Sequence, residues 1–123
     1  MTDICDKVHK CEGTIRMLCG IINKEPKFFS DDILQTFGIE RLTKHHEEVG
    51  GEIGVCLARH FSGDWGDICD EDKEMNTEAL TRDGHGYLSG RIMSVYTLSC
   101  GEKIWIITEW DESVTTVLLP REY

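Results

Sequence analysis

Apolar side chains in EIGVCLARHF return every three or four residues, which puts Ile53, Cys56, Leu57, His60 and Phe61 on one stripe of a helix and turns Arg59 toward solvent. Ser62-Gly63 ends that helix. A second helix is expected over 70–81 (DEDKEMNTEALT), with acids in its first turn and Met75, Ala79 and Leu80 as the buried face. A third spans 39–49, where Ile39, Leu42, His46 and Val49 keep the helical step until Gly50-Gly51. Upstream, Ser30 before Asp31 and Asp32 reads as an N-cap for a short helix closed by Gly38. Ile4, Val8 and Cys11 suggest one more helix, and TIRMLCGII (14–22) reads as a strand.

After the loop at Arg82 the pattern changes to β. YLSGRIMSVYTL (87–98), KIWIITEW (103–110) and SVTTVLL (113–119) are rich in β-branched and aromatic residues. Gly101 supplies the positive φ of the first turn, and Asp111-Glu112 leave the second turn solvated. The expectation is an α+β fold: several short N-terminal helices on a C-terminal antiparallel sheet of three strands, or four with one more, in a single domain over 1–123.

Composition narrows the function classes. With 23 acidic and 13 basic residues the formal charge is −10, which disfavours direct DNA binding and favours a Lys/Arg-rich partner. No apolar run approaches the roughly 20 residues of a membrane span. Six cysteines follow no charged-then-apolar leader, so reduced thiols in the cytoplasm of a bacterial host are expected. A homodimer is compatible with all of this.

The chemistry-bearing stretch is LARHFSGDWGD (57–67). As a calcium loop from Asp64 it places Gly66 and Ile68 where oxygen ligands belong, and the cysteines contain no C-x-x-C, so no metal or other cofactor is expected. His60, Ser62 and Asp64 are triad residue types, but G-x-S-x-G is absent. The plainer reading is a corner, with Gly63 and Gly66 turning the backbone, Trp65 plugging the core, and Asp64 or Asp67 accepting N–H bonds. A small metal-independent ribonuclease of the barnase-like or toxin type needs a base, a cation on the phosphate and orienting hydroxyls. His60, Arg91, Thr115 and Thr116 supply those types, with His85, Arg59, Thr108 and Tyr123 as substitutes.

Segment 64–78 sets Asp64, Asp67, Asp70, Glu71, Asp72, Glu74 and Glu78 against a single Lys73. Such a strip imitates a phosphate backbone and suits a basic groove. The expected partner-binding set is Arg59, His60, Asp64, Trp65, Asp67, Asp70, Glu71, Asp72 and Glu74.

Two stretches carry a resemblance over about residues 55–123. ARH-x-SGDWGD with the following Glu71, Asp72 and Asn76, and the terminal T-E-x-D-x-S-V-T-T-V-L-L-P-x-E-Y, resemble a family of small proteins carried on plasmids, phages and integrative elements of bacteria. Residues 1–54 depart from the shorter N-terminal strand and helix usual there. The resemblance implies a mobile-element accessory protein, most concretely an anti-CRISPR inhibitor that binds a basic surface of an RNA-guided effector nuclease and blocks guide RNA or DNA loading. It carries over no catalytic residue. An antitoxin or small regulator is the further alternative.

Overall fold

A computed structural model of the chain describes residues 10–82 and 86–123. In chain order they form α1 (Glu12–Ile21), β1 (Asp32–Gln35), α2 (Phe37–His45), α3 (Val49–Phe61), α4 (Asp70–Ala79), β2 (Ile92–Thr97), β3 (Lys103–Thr108) and β4 (Val114–Leu118). A 3-10 turn at Pro120–Glu122 follows. The class is α+β, and β2, β3 and β4 form the expected antiparallel meander. The sheet has four strands in the order β1-β4-β3-β2, and β1 runs parallel to β4, so it is mixed rather than wholly antiparallel. The helix expected at 4–11 falls largely outside the described residues, as do Cys5 and His85.

Side chains alternate across the sheet. Ile92, Ser94, Tyr96, Ile104, Ile106, Thr108, Thr115 and Val117 occupy the buried face. The whole predicted stripe of α3, from Ile53 to Phe61, is buried, and α1 packs beside α3. Burying each large aliphatic or aromatic side chain in this cluster stabilises the fold by roughly 1.5–3 kcal/mol.

Several local expectations are corrected. Residues 14–22 lie in or just after α1, because Ile15, Leu18, Cys19 and Ile22 repeat at helical steps and bury Ile15 and Cys19 completely. The helix expected after Ser30 is β1, held by Asp32 N–H to Ser113 O and Thr36 N–H to Val117 O. A long-range partner decided that segment. Gly38 sits inside α2 rather than ending it, and Gly50-Gly51 lie in the first turn of α3, where the amides have no intrahelical partner to lose. Met75 is exposed and its neighbour Asn76 is buried instead. Glu112 is buried, not solvated: Arg82 Nη1 and Nη2 donate to its two oxygens at 2.7 and 3.0 Å.

Candidate partner-binding face

The SGDWGD corner is built as an edge cover for β2. α3 ends at Ser62, and Gly63 turns the chain at φ +90°. Arg59 Nε donates to Asp64 Oδ2 at 2.8 Å and Nη2 to Oδ1 at 3.2 Å, a two-point pair. The same guanidinium stands 4.7 Å over the Tyr96 ring, and the Tyr96 hydroxyl donates to the Asp64 carbonyl at 2.6 Å. Hydrogen bonding from Arg59 holds the Asp64 carboxyl below its usual range.

The next three residues act as a fragment of strand. Val95 N–H donates to Trp65 O at 3.2 Å, and Asp67 N–H to Val95 O at 2.8 Å, so Gly66 bridges Val95 in parallel. Gly66 has φ +73°, and a Cβ there would lie 2.0 Å from the Val95 carbonyl oxygen. Only glycine fits. Thr97 donates to Asp67 Oδ2 at 2.9 Å. Further along the same edge, the Asn76 amide donates to Met93 O at 2.7 Å and accepts from Met93 N–H at 3.2 Å. Together these contacts occupy an edge strand that would otherwise offer unpaired backbone groups.

Beneath the corner lies a buried polar chain. His60 has no exposure, and its ring meets Phe28 and Phe61 edge-on at 5.3 Å. Nδ1 lies 2.5 Å from Ser94 Oγ and Nε2 2.9 Å from Thr108 Oγ1. Thr108 Oγ1 is 2.7 Å from Thr115 Oγ1, which donates to Ser30 Oγ at 2.8 Å, and Ser30 donates to the Asp32 carbonyl at 3.1 Å. A carbonyl only accepts, so the direction of every hydroxyl is fixed: Thr115 to Ser30, Thr108 to Thr115, and therefore Nε2–H to Thr108. Nδ1 then accepts from Ser94. Burial pushes the His60 pKa down to about 3, in keeping with a neutral ring.

This geometry separates the ribonuclease candidates. His60 and Thr115 are sealed in the interior, and both ring nitrogens of His60 are occupied. Thr116 pairs with Ile107 on the opposite face of the sheet from Thr115. Arg91 is exposed and donates to the Tyr123 hydroxyl, with its guanidinium 5.3 Å from that ring. The structure does not assemble these four around a shared space. Nor does it assemble a triad, since the Ser62 hydroxyl donates to the Arg59 carbonyl.

The partner-binding set divides in two. His60 and Trp65, at 0% and 8% exposure, are corrected to interior positions, because one is a link in the polar chain and the other fills the core. Arg59 and Asp64 are spent on each other, and Asp67 is engaged by Thr97. Asp70, Glu71, Asp72 and Glu74, with Glu78 beyond them, are exposed on α4 and form no ion pair among the described residues. Acids in the first turn suit the positive end of the helix.

Beside these carboxylates Met75 stands 66% exposed and lines a 190 Å³ cleft with Ile68, Asp72, Asn76, Arg91 and Met93. Sequence periodicity placed Met75 inside. The signal that could have corrected it is the amide of Asn76, one position on, which is the residue suited to clamp a backbone edge.

Among the described residues no three His, Cys, Asp or Glu side chains converge as metal ligands, and no helix is long and apolar enough to cross a membrane. Cys11, Cys19, Cys56, Cys69 and Cys100 are free thiols, and burial pushes the Cys56 thiol up to about 11. Comparison with protein-family models, with curated proteins and with solved structures gives no match in any of the three.

Proposed function

We propose that the chain is a binding protein whose α4 face docks on a Lys/Arg-rich surface of a nucleic-acid-handling protein. The observation that carries this reading is the set of exposed carboxylates on α4, without ion pairs among the described residues, on a helix fastened to β2 by Asn76. A rigid backing lets fixed charges meet fixed charges without ordering a loop. Met75, with its flexible apolar side chain amid acids, gives the face an apolar centre and a charged rim. Of the residues that carry the resemblance to mobile-element proteins, Arg59, His60, Asp64, Gly66, Asp67 and Asn76 have structural partners. Glu71 and Asp72 have none among the described residues, and they lie on this face.

In its most concrete form the partner is an RNA-guided effector nuclease of the bacterial host, and occupancy of its basic groove hinders guide RNA or DNA loading. The test is a cleavage assay with the purified effector. Protein added before the guide is expected to inhibit, and the variant with Asp70, Glu71, Asp72 and Glu74 all changed to Lys is expected not to. Equal inhibition by both proteins would reject the acidic-face mechanism.

A further inference from the structure

The described arginines fall into two groups. Arg16, Arg59 and Arg82 are each paired with a carboxylate, and Arg91 is bonded to Tyr123. Arg41 and Arg121 form no ion pair among the described residues, and they line the same cleft of 460 Å³ between α2 and the Pro120–Glu122 turn. His45 and His46 line it too. In a chain of charge −10, two unpaired arginines sharing one cleft make a local reversal of sign.

The carboxylate in the cleft wall offsets one of the two arginine charges and leaves the other. Glu122 Oε1 accepts from the Thr36 hydroxyl at 2.5 Å and from Leu119 N–H at 2.9 Å, while Oε2 accepts from Gly38 N–H at 2.9 Å. These three donors, and the charge of Arg121 beside them, hold its pKa below the usual carboxylate value. Its negative charge, fixed at the start of α2, is matched by Arg121, so two arginines against one carboxylate leave the cleft with a net positive charge. At the rim the Phe37 ring is 71% exposed, with the Arg41 guanidinium 5.8 Å from its centroid. An exposed aromatic beside an unpaired arginine offers a stacking platform next to a phosphate contact.

We propose that this cleft binds a nucleoside 5′-phosphate, with the phosphate held by Arg41 and Arg121 and the base stacked on Phe37. Its volume lies within the roughly 300–1,000 Å³ of small-ligand sites. The same chemistry is presented by a free nucleotide and by the 5′-phosphorylated end of an oligonucleotide. The site is separate from α4, so it stands or falls independently of the proposed function.

The experiment is calorimetric titration of the full chain with AMP, adenosine, inorganic phosphate and a 5′-phosphorylated trinucleotide. AMP is expected to bind saturably and more tightly than adenosine or phosphate. Affinity should fall about tenfold or more in Arg41→Ala/Arg121→Ala, and by a smaller factor in Phe37→Ala. It should be unchanged when the α4 acids are reversed. A trinucleotide that binds more tightly than AMP assigns the nucleic-acid end as the source, and equal affinity assigns the free nucleotide. No saturable binding of either up to about 10 mM, a constant beyond the weakest specific sites, would overturn the proposal. So would phosphate binding as tightly as AMP, or undiminished affinity in a double arginine variant that keeps the wild-type circular dichroism spectrum.

Discussion

His60 Nε2 stands 2.9 Å from Thr108 Oγ1, and neither side chain has any exposure to solvent. That single bond ties the C-terminal end of α3 to the centre of the sheet. It also fixes the charge of the ring. Because the hydroxyls run in one direction to the Asp32 carbonyl, Nδ1 has a donor opposite it, and a second proton on the ring would face the Ser94 O–H.

The first prediction follows from that conflict. Unfolded, His60 titrates near 6.5; folded, burial pushes it down to about 3. Above the unfolded value neither state carries the proton, and the full stabilisation is present. As pH falls below it, the unfolded chain takes up a proton that the native ring refuses, and stability drops by about 1.4 kcal/mol per pH unit until the folded value is reached. The total is on the order of 5 kcal/mol. Urea unfolding from about pH 8 to pH 4 should show this slope in the wild type and lose it in His60→Asn. Identical pH slopes in the two proteins would refute the neutral, buried ring.

Gly66 gives the second. With φ +73° and the Val95 carbonyl 2.0 Å from a built Cβ, Gly66→Ala must break the bridge to β2. Loss of about 2–4 kcal/mol is expected, from backbone strain together with lost edge hydrogen bonds. Gly50, with nothing within 4 Å of a built Cβ and a place in α3, is the control. Gly50→Ala should raise stability by about 0.5–1 kcal/mol through helix propensity. Equal effects at the two glycines would contradict the corner described above.

The third concerns Arg82 and Glu112. The carboxylate side chain is 3% exposed while the guanidinium is 38% exposed, so the pair is screened only from one side. Arg82→Ala should destabilise by about 2 kcal/mol, since it strips two charge-assisted bonds from a buried group. Arg82→Lys keeps the charge but not the two-point geometry, and should recover part of that loss. Thermal melts at low and high salt would show it, and a change within error for Arg82→Ala would rule out a structural role for the pair.

The parts of the fold that were legible in the sequence are those set by local periodicity. The α3 stripe from Ile53 to Phe61 and the three strands of the meander follow from spacing alone. What failed was decided by distant partners. Asp32–Gln35 is a strand because β4 offers it an edge, and Ser30 faces Thr115 rather than a helix amide. Helical residues 14–21 were masked by their content of Thr14, Ile15 and Ile21, which short windows read as β. At the site, the acids of α4 were visible as a charge run. That Arg59 and Asp64 neutralise each other, and that His60 lies inside, depended on where Tyr96 and Thr108 arrive from over thirty residues away.

The proposed function turns on whether the α4 carboxylates are the contact surface. Their most direct test is affinity capture from bacterial host lysate on immobilised full-length protein, comparing the wild type with the variant in which Asp70, Glu71, Asp72 and Glu74 are all Lys. The reversed variant should keep the wild-type circular dichroism spectrum and lose about 1–3 kcal/mol of stability, because Asp70, Glu71 and Asp72 lie in the first turn of α4 at the positive end of the helix. The account predicts that the wild type retains a basic nucleic-acid-handling protein, that high salt releases it, and that the reversed variant never retains it. Retention of that same protein by both, with no effect of salt, would contradict the account.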